Sequence, residues 1–176
     1  MSSIGIYFYI PMRNKPDISL ARFLMILSCL SWYVHYLYEL DRKHECIAMY
    51  EGMLLLNPND NQGIRDMLMI YLIEMNEDDK FRKYAKKYRR DSMAFALYSR
   101  ALFYFKTEGP SAKANEALGH AIEYNPHVPD LILSLKAPID IQDHYSFGDG
   151  SEATYFADYA HPNMAESAWC NGVVEK

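Results

Sequence analysis

The side chains best suited to gripping a ligand are Arg65 and Arg100. A guanidinium is a rigid fork of donors that can hold a carboxylate bidentately and stack on an aromatic ring, and tyrosine lies close to Arg100 in the chain. The competing reading makes each arginine a strut that bonds helix ends or neighbouring carboxylates. For Arg65, which follows the Asn57 to Asp60 turn (NPND), the strut is favoured. A second basic feature is KFRKYAKKYRR, Lys80 to Arg90, with seven Lys or Arg in eleven residues. It could contact phosphates while its tyrosines stack on bases. However, Phe81, Tyr84 and Tyr88 recur at helical spacing, which leaves the basic residues on the other side of the helix. Glu77, Asp78 and Asp79 precede them, negative at the helix start and positive at its end. A solvated helix face is the favoured reading.

Catalytic constellations are thin. His161, Glu166 and Cys170 are neighbours only in sequence, and a Cys–His pair needs spatial adjacency and a thiolate-favouring setting. GDGS, Gly148 to Ser151, could cradle a phosphate, but a loop and a helix cap account for it. His35 and His44 have no third ligand in sequence reach. No metal, cofactor or enzymatic activity is expected. Cys29, Cys46 and Cys170 are odd in number and form no CxxC pair, which points to a reducing, cytoplasmic setting without a disulfide framework.

These residues must be held by a fold, and composition names its class. The chain has 176 residues, 50% of them apolar, with 15 tyrosines against 8 glycines and 8 prolines. That excludes disorder and argues against a turn-rich β fold. The net charge of −5 is uneven: residues 1–90 hold 13 basic and 11 acidic side chains, and residues 91–176 hold 5 and 12. An acidic chain is a poor candidate for dedicated nucleic-acid binding. Residues 23–38 carry no Asp, Glu, Lys or Arg, but sixteen residues fall short of the ~20 that a spanning helix needs. A helix buried by protein neighbours is therefore preferred to a membrane anchor over residues 20–38.

Internal similarity is the most informative feature. CIAMYEGMLLLNPND (Cys46 to Asp60) and ANEALGHAIEYNPHV (Ala114 to Val128) align without a gap, each a helix pattern ending in Asn-Pro. Their offset of 68 residues is twice the period of a tetratricopeptide unit. The frame predicts three helix pairs, at 27–60, 61–94 and 95–128. Leu30, Tyr33, Val34 and Leu37 fall on the inner face of the first helix, against Cys46, Tyr50 and Met53. Ile64, Met67, Leu68 and Tyr71 fit the second pair, although Lys80 and Lys87 replace small residues there. Tyr98, Ala101, Leu102 and Phe105 fit the third, with Gly109 in the turn, against Ala114, Leu118 and Ala121. Pro58 and Pro126 end helices, while Asn59 and Asp60, Asp91-Ser92, Ser111 and Ser151 are expected to cap the helices that follow.

Over roughly residues 23–128 the units resemble the tetratricopeptide superfamily. LNPNDNQGIR (Leu56 to Arg65), YSRALFYF (Tyr98 to Phe105), NPHVPDLIL (Asn125 to Leu133) and YSFGDGSEA (Tyr145 to Ala153) look more narrowly like bacterial helical-repeat proteins similar to the suppressor of tumorigenicity seven family. The resemblance implies a superhelical interaction scaffold without an assigned catalytic activity. Some of those proteins carry a zinc-binding segment like the C-terminus of the SecA translocase; here Cys170 stands alone in that region.

The expected fold is all-α: tetratricopeptide-like antiparallel helix pairs stacked as a short right-handed superhelix, in a single domain. Residues 1–22 form a lead segment, 23–128 three helix pairs and 129–176 a helical cap. The first helix of each pair would line a concave groove through Ser31, His35 and Tyr38, then Gln62, Arg65 and Met69, then Ser99, Arg100, Phe103 and Lys106. A non-enzymatic scaffold that binds a protein or peptide there is the expected function. A membrane-associated protein and an RNA-binding repeat are the alternatives. The apolar IGIYFYIP segment, Ile4 to Pro11, is expected to pack on the first helix or to form a homodimer surface.

Overall fold

The computed structural model describes residues 18–60, 62–133 and 146–164, without the side chains of 18–24, 28 and 161–164. The IGIYFYIP segment, Glu166 and Cys170 lie outside these residues, as does the side chain of His161. Among the described residues there are eight helices and no strand. They are α1 (Ile18–Glu39), α2 (Lys43–Leu56), α3 (Ile64–Glu74), α4 (Asp78–Lys87), α5 (Ala94–Glu108), α6 (Ala112–Tyr124), α7 (Val128–Ile132) and α8 (Gly150–Met164). The three predicted windows each hold a helix pair, although α1 begins earlier than its window.

Each pair turns at the same kind of residue. Asp41, Asn76 and Gly109, 35 and 33 residues apart, all have positive φ, at 58°, 58° and 67°. A left-handed residue just past a helix lets the next amide reach back to an orphan carbonyl: Arg42 N donates to Leu37 O and Glu77 N to Leu72 O, both at 2.9 Å. Gly109 differs: its φ of 67° and ψ of −159° lie outside the left-handed helical region, in a conformation open essentially to glycine alone, whereas Asp41 and Asn76 hold positive φ at some cost. Asn57 and Asn125 end α2 and α6 with matching φ of −129° and −137°, extended as the following proline demands.

The chain forms two compact units, which divide within α3 between Leu68 and Met69. In the first, α1 packs on α2 through Leu27, Ser31, Val34 and Leu37, all buried. Cys46, Tyr50 and Met53 of α2 are buried as expected, and Cys46 Sγ donates to Val34 O at 3.2 Å. Tyr33 departs from the frame. It is 49% exposed rather than at a helix contact, because it lies about 100–120° around the helix from Leu27 and Val34. Leu30 is half-buried.

In the second unit α5 packs on α6 and α8, and α7 on α8. Ala101, Ala114, Leu118 and Ala121 are wholly buried; the alanines let the helix axes come close. Phe156 of α8 meets Phe95 edge-on at 5.0 Å and Tyr98 at 5.5 Å. Ser111 caps α6 as expected, its Oγ accepting from Ala114 N at 3.1 Å. Ser111→Ala should cost about 1 kcal/mol and Ser111→Gly only a few tenths, measured from denaturation midpoints. Ser151 is not a cap: it lies inside α8, and Asp149 Oδ1 accepts from Ser151 N at 2.8 Å and Glu152 N at 3.2 Å. Asp91 accepts from Met93 N at 3.1 Å, but the first amide of α5, Ala94 N, is satisfied from α8, by Glu152 Oε1 at 3.0 Å.

Candidate functional site

Five of the ten groove candidates lie in the first unit. Ser31 is buried, its Oγ donating to Leu27 O at 3.0 Å, so it faces no groove. His35 and Tyr38 are half-buried; the His35 ring sits 6.2 Å from Tyr36, and Lys43 Nζ lies 5.2 Å over the Tyr38 ring. Gln62 accepts from Asn57 Nδ2, closing the Asn-Pro turn. Arg65 Nη1 meets Asp60 Oδ2 at 2.9 Å, and its Nε lies 3.9 Å from Asp66. Asp60 also accepts from Ile64 N at 2.7 Å and Arg65 N at 3.0 Å, so one buried carboxylate caps α3 and clamps Arg65. Burial pushes the Asp60 carboxyl above its ordinary value, against the pull of those amides and of Arg65. Arg65 is thus tied into the turn it follows.

The other five are in the second unit. Met69, Ser99 and Phe103 are 6%, 0% and 1% exposed, so they offer almost no surface to a ligand. The periodicity that put them on an outward face could not show that the unit closes over them. Arg100 and Lys106 both reach helix ends. Arg100 donates to Tyr88 O at 2.8 Å and Asp91 O at 3.0 Å, just beyond α4, and Lys106 Nζ donates to Ile73 O in the last turn of α3. A cation on the orphan carbonyls of a helix C-terminus satisfies them and opposes the helix dipole. Burial lowers both Arg100 and Lys106 from their ordinary values.

Arg100 and Phe103 nevertheless belong to a shared feature: an open cleft of about 420 Å³ formed by α4, α5 and the start of α6. Five cations line it, namely Arg82, Lys86, Arg89, Arg100 and Lys113, and no carboxylate does. Arg82 and Lys86 share one face of α4, four residues apart, and Arg89 follows in the turn after the helix. Beneath them Phe81 and Phe103 stack at 4.1 Å, and the Arg82 guanidinium sits 4.9 Å over the Phe103 ring. Lys113 Nζ stands 3.9 Å over Tyr104 and 2.8 Å from Glu108, at the rim. Its ion pair with Lys113 holds the Glu108 carboxyl below its ordinary value. No described residue pairs with Lys86 or Arg89, and both are exposed.

The cleft can attract an anion and hold it with charge-assisted donors, two on α4, one in the turn after it and two facing them. Its rings are committed elsewhere. Phe81 and Phe103 are each 1% exposed, and cations cover Phe103 and Tyr104, so they orient the cations and offer no open face to a base. The basic run was visible in the sequence as a charged stretch; its Arg82–Lys86 face was there to be read at helical spacing. Lys113 carried no such signal, since only the return of α6 brings it to the cleft.

Among the described residues no three His, Cys, Asp or Glu side chains gather as a metal set. No described helix is long and apolar enough to cross a membrane. No protein-family model matches the chain, and no significant match was found among curated proteins or solved structures.

Proposed function

We propose that this chain is a non-enzymatic interaction scaffold of tetratricopeptide-like helix pairs whose second unit binds an acidic stretch of a partner protein. The carrying observation is the cleft in which five cations converge with no carboxylate in its lining. Preorganisation supports the reading. Arg100 is fixed by two carbonyls, while Arg82 and Lys113 rest on rings, so little side-chain freedom is lost on binding. Lys86 and Arg89 supply the uncommitted charge. A peptide is favoured over RNA because base stacking needs open aromatic faces, and Phe81 and Phe103 are buried. The relation to the tetratricopeptide superfamily rests on the three helix pairs with a positive-φ residue at each turn.

The test is fluorescence anisotropy of the full chain with a labelled peptide carrying six glutamates, against a neutral peptide of equal length and a uridine hexamer. The acidic peptide should bind, and more weakly as salt rises. Lys86→Glu with Arg89→Glu should weaken it at least about tenfold, since each lost charged hydrogen bond costs about 1.5–3 kcal/mol. Equal binding of acidic and neutral peptides would sink the proposal. Tighter binding of the uridine hexamer would replace it with nucleic-acid recognition.

A further inference from the structure

Helix α1 has a second apolar face that packing among the described residues does not use. Met25, Ile26, Trp32, Tyr33, Tyr36 and Leu40 are 45–66% exposed, and Cys29 among them is exposed too. At about 100° per residue these seven positions fall within an arc of about 120°, with the buried Leu27, Ser31 and Val34 on the opposite side and the buried Leu37 at the edge of the stripe. The stripe is about 23 Å long. The feature is local: of the nine exposed large hydrophobic residues described, all but Phe147 lie in the first unit. A helix that is apolar all round is normally covered all round.

We propose that this face of α1 is the interface of a homodimer, in which the α1 helices of two copies pack against each other. The inference is independent of the basic cleft. Three observations select a second copy. The first is area. Aromatic side chains bury about 150–250 Å² each, so seven residues at this exposure leave on the order of 700 Å² free, close to the ~800 Å² per partner of a stable interface. The second is charge. No position of the stripe is ionised at neutral pH, so an identical face meets no like-charge penalty, and two-fold pairing is the commonest closed assembly. The third separates protein from lipid. A helix lying on a membrane draws on Lys and Arg for anionic headgroups, but residues 23–41 contain neither, and Arg42, which lies near Tyr33, is paired with Glu45 at 2.6 Å. Trp32, Tyr33 and Tyr36 near its centre are of the types that dominate interface energetics.

Sedimentation velocity on the full chain, from about 1 to 100 µM, tests this directly. Wild type should sediment as a dimer that dissociates on dilution. Trp32→Glu with Tyr36→Glu should weaken association at least about 100-fold, with the far-UV circular dichroism of wild type. Tyr36→Arg alone should give a smaller shift in the same direction, which serves if the double variant does not fold. A wild-type chain that stays monomeric at the highest concentration overturns the proposal, as does a folded double variant that remains dimeric. Sedimentation with phosphatidylserine-containing vesicles, abolished by the same substitutions in a chain that is monomeric without them, would assign the face to a membrane instead.

Discussion

Glu152→Leu is expected to lower the stability of the second unit by about 3–5 kcal/mol, because it strands several buried hydrogen-bond donors at once. Glu152 is 0% exposed, and its carboxylate gathers three donors: Ala94 N at 3.0 Å, Asn125 Nδ2 at 3.2 Å and Gly148 N at 2.7 Å. Leucine fills much of the space but accepts nothing, and each stranded donor costs about 1–3 kcal/mol. The damage should spread, because the cluster joins three segments. Asn125, the residue before Pro126, also donates to Asp149 O at 2.9 Å and accepts from His127 N at 3.2 Å, and its carbonyl takes the Tyr98 hydroxyl at 2.7 Å. Burial first, and then Glu152, raises the Tyr98 hydroxyl well above its ordinary value, so it remains a donor. Glu152→Gln keeps one acceptor oxygen and should lose clearly less. Urea denaturation followed by circular dichroism would rank the variants. Equal midpoints for wild type and Glu152→Leu would refute a pinning role for this carboxylate.

Asp60→Ala should cost the first unit about 3 kcal/mol through three separate losses. Two amides at the start of α3 lose their cap, usually worth about 1–2 kcal/mol. Arg65 loses its closest carboxylate, which leaves Asp66 at 3.9 Å as a poor substitute. Alanine must also hold φ near Asp60's +49° without the local side-chain hydrogen bonds that ease Asp and Asn into this region, which adds up to about 1 kcal/mol. Asp60→Asn tolerates that backbone and keeps an acceptor, so it should fall between the two. Amide hydrogen exchange at Ile64 and Arg65 is the direct measurement. Protection there that is unchanged in Asp60→Ala would remove Asp60 from the cap.

Much of the helix arrangement was legible from two Asn-Pro pairs, because a proline ends a helix wherever it stands and the repeat spacing then counts out the rest. The buried faces of α2, α5 and α6 followed from small and large residues at helical intervals. Tyr33 did not follow. When a helix is apolar all round, periodicity cannot say which side meets its partner, and α1 turns Leu27, Val34 and Leu37 inward and Tyr33 out. The groove positions failed for a related reason. Met69, Ser99 and Phe103 were placed by counting turns on an isolated helix, but their exposure depends on what packs over them.

The sequence by itself determined an all-α chain, the places where its helices stop and much of the buried core, since these depend on residues within a turn or two of one another. Only the tertiary structure decided what the polar residues do. Glu152 caps a helix that starts 58 residues earlier, Arg100 and Lys106 close the ends of α4 and α3, and Lys113 completes a basic cleft begun on α4. Each role depends on distances across the fold, and no local pattern encodes those until the helices have packed.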